Sequence, residues 1–264
     1  MKRKIAIALL GWSALLSAQV VDPPEQTPPV GVPAPAPQPA ERDVSWKSLV
    51  PNILSDQKQI WLFPGRLVEG HSWIPTAAIL GTTAGLVALD PPVAGYFRRT
   101  STFNGFNNVF TGNATSIGMV VAPVSLYVAG LIRKDGKMQR TALFAAEAVA
   151  DSEIVTTFLK DTTRRLRPAA IPPHGNFSDT WFESGGSILR GSGSFPSGHT
   201  IAAFSIATVV ARRYGNHRWV PYAAYGMAAL VGFSRITLSA HFLSDVFMGG
   251  ALGYTISRFA VLRQ

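Results

Sequence analysis

Three short stretches carry residues whose types and spacing suit chemistry on a bound phosphate. The segment Pro196-Ser197-Gly198-His199 stands directly before an apolar run, Thr200 to Val210. The first turn of a helix has unpaired backbone N–H groups and a partial positive charge, so such a start can hold an anion. Ser197 is placed to cap that turn and offer its hydroxyl. Gly198 lets a bulky oxyanion approach the backbone. His199 sets a titratable proton beside the bound group. Upstream, Lys160 is followed after six residues by Arg167-Pro168. Seven positions bring a helix back to within about 20° of the same face, so the two cations are expected to point together. Pro168 biases Arg167 away from helical backbone, so the helix should end there. Downstream stand Ser234-Arg235, His241 and Asp245. Residues four apart share a helix face, where the Asp245 carboxylate can accept one imidazole N–H and leave the other nitrogen of His241 free to attack phosphorus. Arg235 makes a third cation. Guanidinium groups bind phosphate oxygens in pairs, and phosphoryl transfer depends mainly on charge stabilisation at those oxygens.

Written in order, the three stretches read K-x6-R-P, P-S-G-H and S-R-x5-H-x3-D. This resembles the phosphatidic acid phosphatase type 2 / vanadium haloperoxidase superfamily, with every signature position filled between Lys160 and Asp245. The resemblance implies that His241 is the nucleophile and forms a phosphohistidine, and that Asp245 orients it. It implies that His199 is the general acid for the leaving alkoxide and then the base for the hydrolytic water. Lys160, Arg167, Arg235, Ser197 and the Gly198 N–H would hold the phosphoryl oxygens. No metal and no cofactor are expected, and vanadate should bind as a phosphate mimic. The implied activity is a metal-independent phosphatase acting on small phosphomonoesters or on lipid phosphates or diphosphates. The alternatives are a vanadate-dependent haloperoxidase built on the same anion site, which the short chain disfavours, and a non-catalytic anion-binding membrane bundle.

The elements that must position these residues are helices. From residue 73 onward come six apolar, helix-length runs: Trp73–Leu89, Ser116–Ile132, Thr141–Leu159, His199–Arg212, Val220–Ser234 and Ser244–Leu262. Pro91-Pro92, Asp135-Gly136 and Tyr214-Gly215 punctuate them. No alternating strand pattern competes, so the fold class is all-α, a bundle of about six core helices. A shorter amphipathic helix is expected within Trp46–Phe63, stopped by Pro64-Gly65 and packed on the domain. Small residues such as Gly81, Gly85, Gly118, Gly226, Gly249, Gly250 and Gly253 would permit close helix crossings. The long loop Ala169–Phe195 reads as a substrate lid, with Phe177, Trp181 and Phe182 against an apolar leaving group.

Ahead of the domain (46–264), residues 1–19 have the basic start, short apolar core and small-residue end of a signal peptide. Residues 20–45 are a Pro-rich linker. The 264-residue chain has a formal net charge of +9 and no cysteine, which excludes a thiolate nucleophile and disulfides. The basic residues are scattered through loops and no nucleic-acid motif stands out, so phosphate-bearing substrates are favoured over nucleic acid. Aromatic loops and apolar helices suggest a lipid or isoprenoid tail and association with a membrane. Glu147, Asp151 and Glu153 are costly in lipid, which favours an exported bundle in the periplasm or cell envelope, with an integral membrane protein as the alternative.

Overall fold

The computed structural model describes residues 42–185 and 191–263. The expected signal peptide, all but the last four residues of the expected linker, and the centre of the glycine-serine stretch lie outside the described residues. Among the described residues there are eight α-helices and no strand: α1 (Leu49–Val68), α2 (Trp73–Arg99), α3 (Asn104–Val109), α4 (Gly112–Ile132), α5 (Gly136–Thr163), α6 (Gly198–Arg213), α7 (Trp219–Thr237) and α8 (Leu243–Thr255), the last continued by a wider turn over Ile256–Val261. The six long runs of the sequence are α2 and α4 to α8.

Local chemistry sets several of the boundaries. The Asp135 carboxylate accepts from the Lys137 and Met138 N–H groups at 2.8 and 3.1 Å and starts α5. Arg164 ends that helix in the left-handed region, at φ 43°. Two expected breaks are absent. Pro64 lies inside α1, which continues to Val68, and Pro91-Pro92 lie inside α2. A proline removes one donor from the ladder, whereas ending a helix within apolar surroundings leaves a whole turn of backbone groups unpaired.

The helix α6 is central, packed on α5, α7 and α8, while α4 lies on α5, α2 on α8 and α1 on α5. The α8–α6 crossing is close because of glycine: a Cβ on Gly249 would stand 2.8 Å from the Ser197 carbonyl, and one on Gly253 would meet the Ile201 carbonyl. Gly81, Gly85, Gly118 and Gly226 make no such crossing, since a Cβ there would meet nothing within 4 Å.

Two acids of α5, Glu147 and Asp151, are covered from the side. Gln57 of α1 donates to Asp151 at 2.8 Å, and Arg42 pairs with both Asp56 and Glu147. Val44 is buried in the core beside Phe144. Arg42 and Val44, read from the sequence as linker, therefore pack against the helices.

Two helices are long and apolar enough to cross a membrane, α2 and α4. They are not core helices, because only 17% and 11% of their most apolar stretches are buried. Leu80, Ile117, Val120 and Val124 stand on these outer faces, each more than half exposed. An apolar surface of this extent is stable against lipid, not water. The chain is membrane-associated, and of the three acids that weigh against a bundle set in lipid, Glu147 and Asp151 are shielded by α1 and Arg42, whereas Glu153 is exposed.

Candidate active site

The up-and-down course of the helices brings the starts of α4, α6 and α8 to one end, where α5 and α7 finish and the last third of α2 arrives. The Ser197 N–H donates to the Asp245 carbonyl at 3.0 Å, joining the starts of α6 and α8. The His199 Nε2 lies 2.9 Å from the Ser116 hydroxyl and 3.2 Å from the Gly112 carbonyl, both on α4. The Arg235 guanidinium, in the last turn of α7, donates to the Phe110 carbonyl at 2.6 Å. The Lys160 ammonium, in the last turn of α5, lies 3.3 Å from where a Cβ of Gly198 would be. All eight residues singled out in the sequence thus belong to this end of the bundle, although Arg167 and His241 reach it by routes other than those expected.

His241 and Asp245 do not share a helix face. His241 lies before α8, whose cap is Phe242, and Asp245 is its third residue. The Asp245 carboxylate accepts from the Phe242 N–H at 2.9 Å, closing the first turn, and faces His241 Nδ1 at a longer 3.5 Å. The nearer partner of that nitrogen is the Ser194 carbonyl at 2.8 Å. Both neighbours accept, so Nδ1 carries the proton and Nε2 keeps its lone pair.

Lys160 and Arg167 do not share a face either, because α5 ends at Thr163 and Arg167 is extended, at φ −84° and ψ 146°. The proline effect on Arg167 is as expected; the shared helix is not. They are brought together by the chain folding back, with the Leu166 N–H on the Thr180 carbonyl and the Ser194 N–H on the Arg165 carbonyl, each at 2.7 Å. Neither side chain has a hydrogen-bond or ion-pair partner among the described residues, so their donors are available to a ligand.

Ser197 takes the cap position of α6, but its hydroxyl does not bond the helix N–H groups. It accepts from the Thr200 hydroxyl at 2.8 Å instead. The first N–H groups of α6, with Gly198 leaving room beside them, stay open to an anion.

Sequence reasoning missed Arg165, which reads there as one more charge in a basic run. It is 1% exposed, bridges Asp90 of α2 and Asp245 at 2.7 Å each, and bonds the Ser244 hydroxyl at 2.8 Å. Its guanidinium is sandwiched by Trp181 and Phe242, with ring centroids at 4.3 and 4.0 Å. Ser194, also missed, donates its hydroxyl to Asp245 at 2.5 Å. Nothing in the spacing marks either residue, because both act through loop geometry.

Charge follows this geometry. Burial would push the Asp245 carboxyl up, but His241, the Arg165 guanidinium and Ser194 together hold it below the ordinary carboxylate value. Burial pushes His241 down against the opposing pull of Asp245, so its imidazole is neutral at neutral pH. His199 is lowered to about 4, by burial first and then by Arg235, with His241 and Lys160 adding to the effect. Burial, then Arg167, lowers Lys160. Burial is the first cause for each of these three lowered bases and neighbouring cations deepen the shift for each, so a bound anion would oppose part of it.

In the described part of the loop Ala169–Phe195, two of the three aromatic residues expected to face a leaving group pack into the protein. Phe177 is buried with Ala94, Ile171 and Phe242, Trp181 lies on Arg165, and of the three aromatic residues only Phe182 is largely exposed.

Comparison with known proteins agrees with the geometry. Residues 141–264, the segment that carries all eight residues singled out in the sequence, match the PAP2 superfamily. A lipid A 1-phosphatase of Porphyromonas gingivalis is 42% identical over 64 residues, 24% of this chain and 14% of the relative. A lipid A 4'-phosphatase of the same organism is 30% identical over 128 residues, 47% of this chain and 52% of the relative. A lipid A 1-phosphatase of Rhizobium etli is 28% identical over 181 residues, 64% of this chain and 74% of the relative. The matches to the two Porphyromonas proteins therefore span about half of those relatives or less. A crystal structure of a transmembrane PAP2-type phosphatidylglycerolphosphate phosphatase from Bacillus subtilis aligns over 81% of this chain and 92% of its own, with a TM-score of 0.40 and 21% identity.

Proposed function

We propose that the chain is a lipid phosphatase that cleaves a phosphomonoester at a membrane surface through a phosphohistidine. The observation that carries this reading is that the two apolar, outward-facing helices deliver residues directly to the anion site. Gly112 and Ser116 of α4 touch His199, and Asp90 of α2 touches Ser244 and Arg165. A site at the end of lipid-facing helices sits at headgroup depth. The relatives named as lipid A phosphatases support a lipid substrate, and a small monoester or an isoprenyl diphosphate is the alternative that the test below separates. Placement of this end outside the cytoplasm, by export or by topology, belongs to the same proposal.

The steps follow from the side chains. The phosphoryl oxygens lie among Lys160, Arg167, Arg235, the Ser197 hydroxyl and the first N–H groups of α6, including that of Gly198. The His241 Nε2 lone pair forms a bond to phosphorus as the bond to the leaving oxygen breaks. The His199 imidazolium gives that oxygen its proton, and the alcohol leaves. Neutral His199 then takes a proton from water, whose oxygen displaces His241, and inorganic phosphate forms. Asp245 compensates the positive charge that develops on the His241 ring. The bound dianion raises the pKa of His199 from its low value in the empty site, so substrate binding charges the general acid. Three cations and a helix start supply the positive field without an added ion, and vanadate should occupy the same cradle as an inhibitor.

The test is phosphate release by the purified chain with excess chelator, from a lipid phosphomonoester, an isoprenyl diphosphate and p-nitrophenyl phosphate. Chelator-resistant release that is highest on the lipid monoester is expected. Release that needs an added metal ion, or highest on the small ester, would overturn the respective half of the proposal.

A further inference from the structure

We infer a second anion site, for the phosphate of an anionic phospholipid headgroup, in a basic cavity at the end of the bundle opposite the candidate active site. The cavity, of about 330 Å³, lies between the start of α5, the end of α6 and the C-terminal turn after α8. Lys137 and Lys160 mark the two ends of α5, which places the cavity about 35 Å from the site at 1.5 Å per residue. Likewise His199 opens α6 and Arg212 closes it.

Seven cationic side chains line the cavity, and among the described residues no carboxylate does. Arg42 and Arg263 are neutralised from behind, by Asp56 and Glu147. Lys137, Arg212 and Arg258 have no carboxylate partner among the described residues. Lys137 lies over the Tyr214 ring and Arg258 over Phe259. Cations crowded around one small volume repel each other unless a multivalent anion joins them, and guanidinium groups pair well with phosphate oxygens.

The surroundings select a lipid over a free phosphate. Phe144, Val261 and Leu262 share the wall with the cations. The bundle surface at this end carries exposed Leu131 and Ile132, where α4 finishes, and exposed Trp219 and Tyr222, where α7 begins. Aromatic residues at the end of an apolar band mark headgroup depth, and basic pockets at that depth hold phospholipid headgroups. Headgroup phosphate would sit on the cations with the acyl chains running along the apolar faces.

The experiment measures thermal unfolding of the purified full chain in an uncharged detergent. Phosphatidylglycerol, phosphatidylcholine with the same acyl chains, and inorganic diphosphate are added separately, to wild type and to the Arg212→Gln/Arg258→Gln variant. Comparing the two proteins cancels any binding at the active site. Phosphatidylglycerol should raise the wild-type midpoint by several degrees more than phosphatidylcholine, and most of that excess should vanish in the variant. Release from p-nitrophenyl phosphate should stay within twofold. An equal phosphatidylglycerol excess in both proteins would overturn the site. A diphosphate shift that matches the lipid's and vanishes in the variant would overturn the lipid and leave a free-phosphate site. If the double variant does not fold, Arg212→Gln alone, at an exposed position, should weaken the lipid response several-fold, and an undiminished response would count against the site in the same way.

Discussion

The two ends of the bundle are both rich in arginine and lysine, yet they treat charge in opposite ways. At the α6 start, Arg165 and Arg235 are almost fully buried, and each is fixed by named partners. At the α6 end, Arg212 stands exposed with no carboxylate partner among the described residues. Fixed charge in a dry, preorganised setting can stabilise a transition state. Exposed charge on long side chains adapts to a ligand and contributes affinity more than rate. The difference teaches that counting cations does not find a candidate catalytic site; deeply buried, fixed cations such as Arg165 and Arg235 beside Lys160 and Arg167, unpartnered among the described residues, mark it.

Removing the charge that nothing at the catalytic end can replace should have the largest effect. Arg165→Met leaves Asp90 and Asp245 buried without their shared counter-charge, which costs about 3–5 kcal/mol of stability. Turnover should fall on the order of 1,000-fold, the upper range for one electrostatic group. In Arg165→Lys, which cannot bridge both carboxylates, the Asp245 pKa rises, so the acid limb of the activity profile should move to higher pH. An unmoved limb in a folded variant would mean that Arg165 does not hold the Asp245 carboxyl down. Next come the ligand-facing cations. Arg167→Gln or Lys160→Gln should lower kcat/KM by about 100- to 1,000-fold with a smaller change in unfolding midpoint than Arg165→Met, because neither side chain has a partner to abandon.

A smaller effect sharpens the role assigned to His199. In the empty site its pKa is lowered to about 4, and a bound phosphoryl dianion opposes that shift. A general acid works below its own pKa, so the basic limb of kcat, which reports the complex, should lie at higher pH than the basic limb of kcat/KM, which reports the free enzyme. Coincident limbs would mean that the ligand does not charge His199. The smallest effect belongs to the other end, where Arg212→Gln should leave turnover of a soluble ester within twofold.

Much of the candidate site is legible in the sequence because its eight residues stand in three short stretches at spacings that resemble a known signature. Lys160, Arg167, Ser197, Gly198, His199, Arg235, His241 and Asp245 gather at one end of the bundle. The routes that gather them are less legible. Helical periodicity put Lys160 with Arg167, and His241 with Asp245, on shared faces; chain reversal and a helix cap do that work instead. Arg165 and Ser194 are invisible to spacing because their partners, Asp90 and Asp245, are far away along the chain. The helices are legible from apolar length, and their prolines misled because a ladder survives the loss of one donor. Membrane association was legible in the apolar helices, whereas Glu147 and Asp151 weighed against a bundle set in lipid because their partners on α1 and at Arg42 are revealed by no local reading.

Whether His241 takes the phosphoryl group is read most directly by quenching the enzyme during turnover of a lipid phosphomonoester and locating bound phosphate by mass spectrometry under alkaline conditions, alongside His241→Ala. One acid-labile phosphate on the peptide containing His241, with no adduct and no phosphate release in the variant, is the expected result. Undiminished release by a folded His241→Ala protein would contradict it.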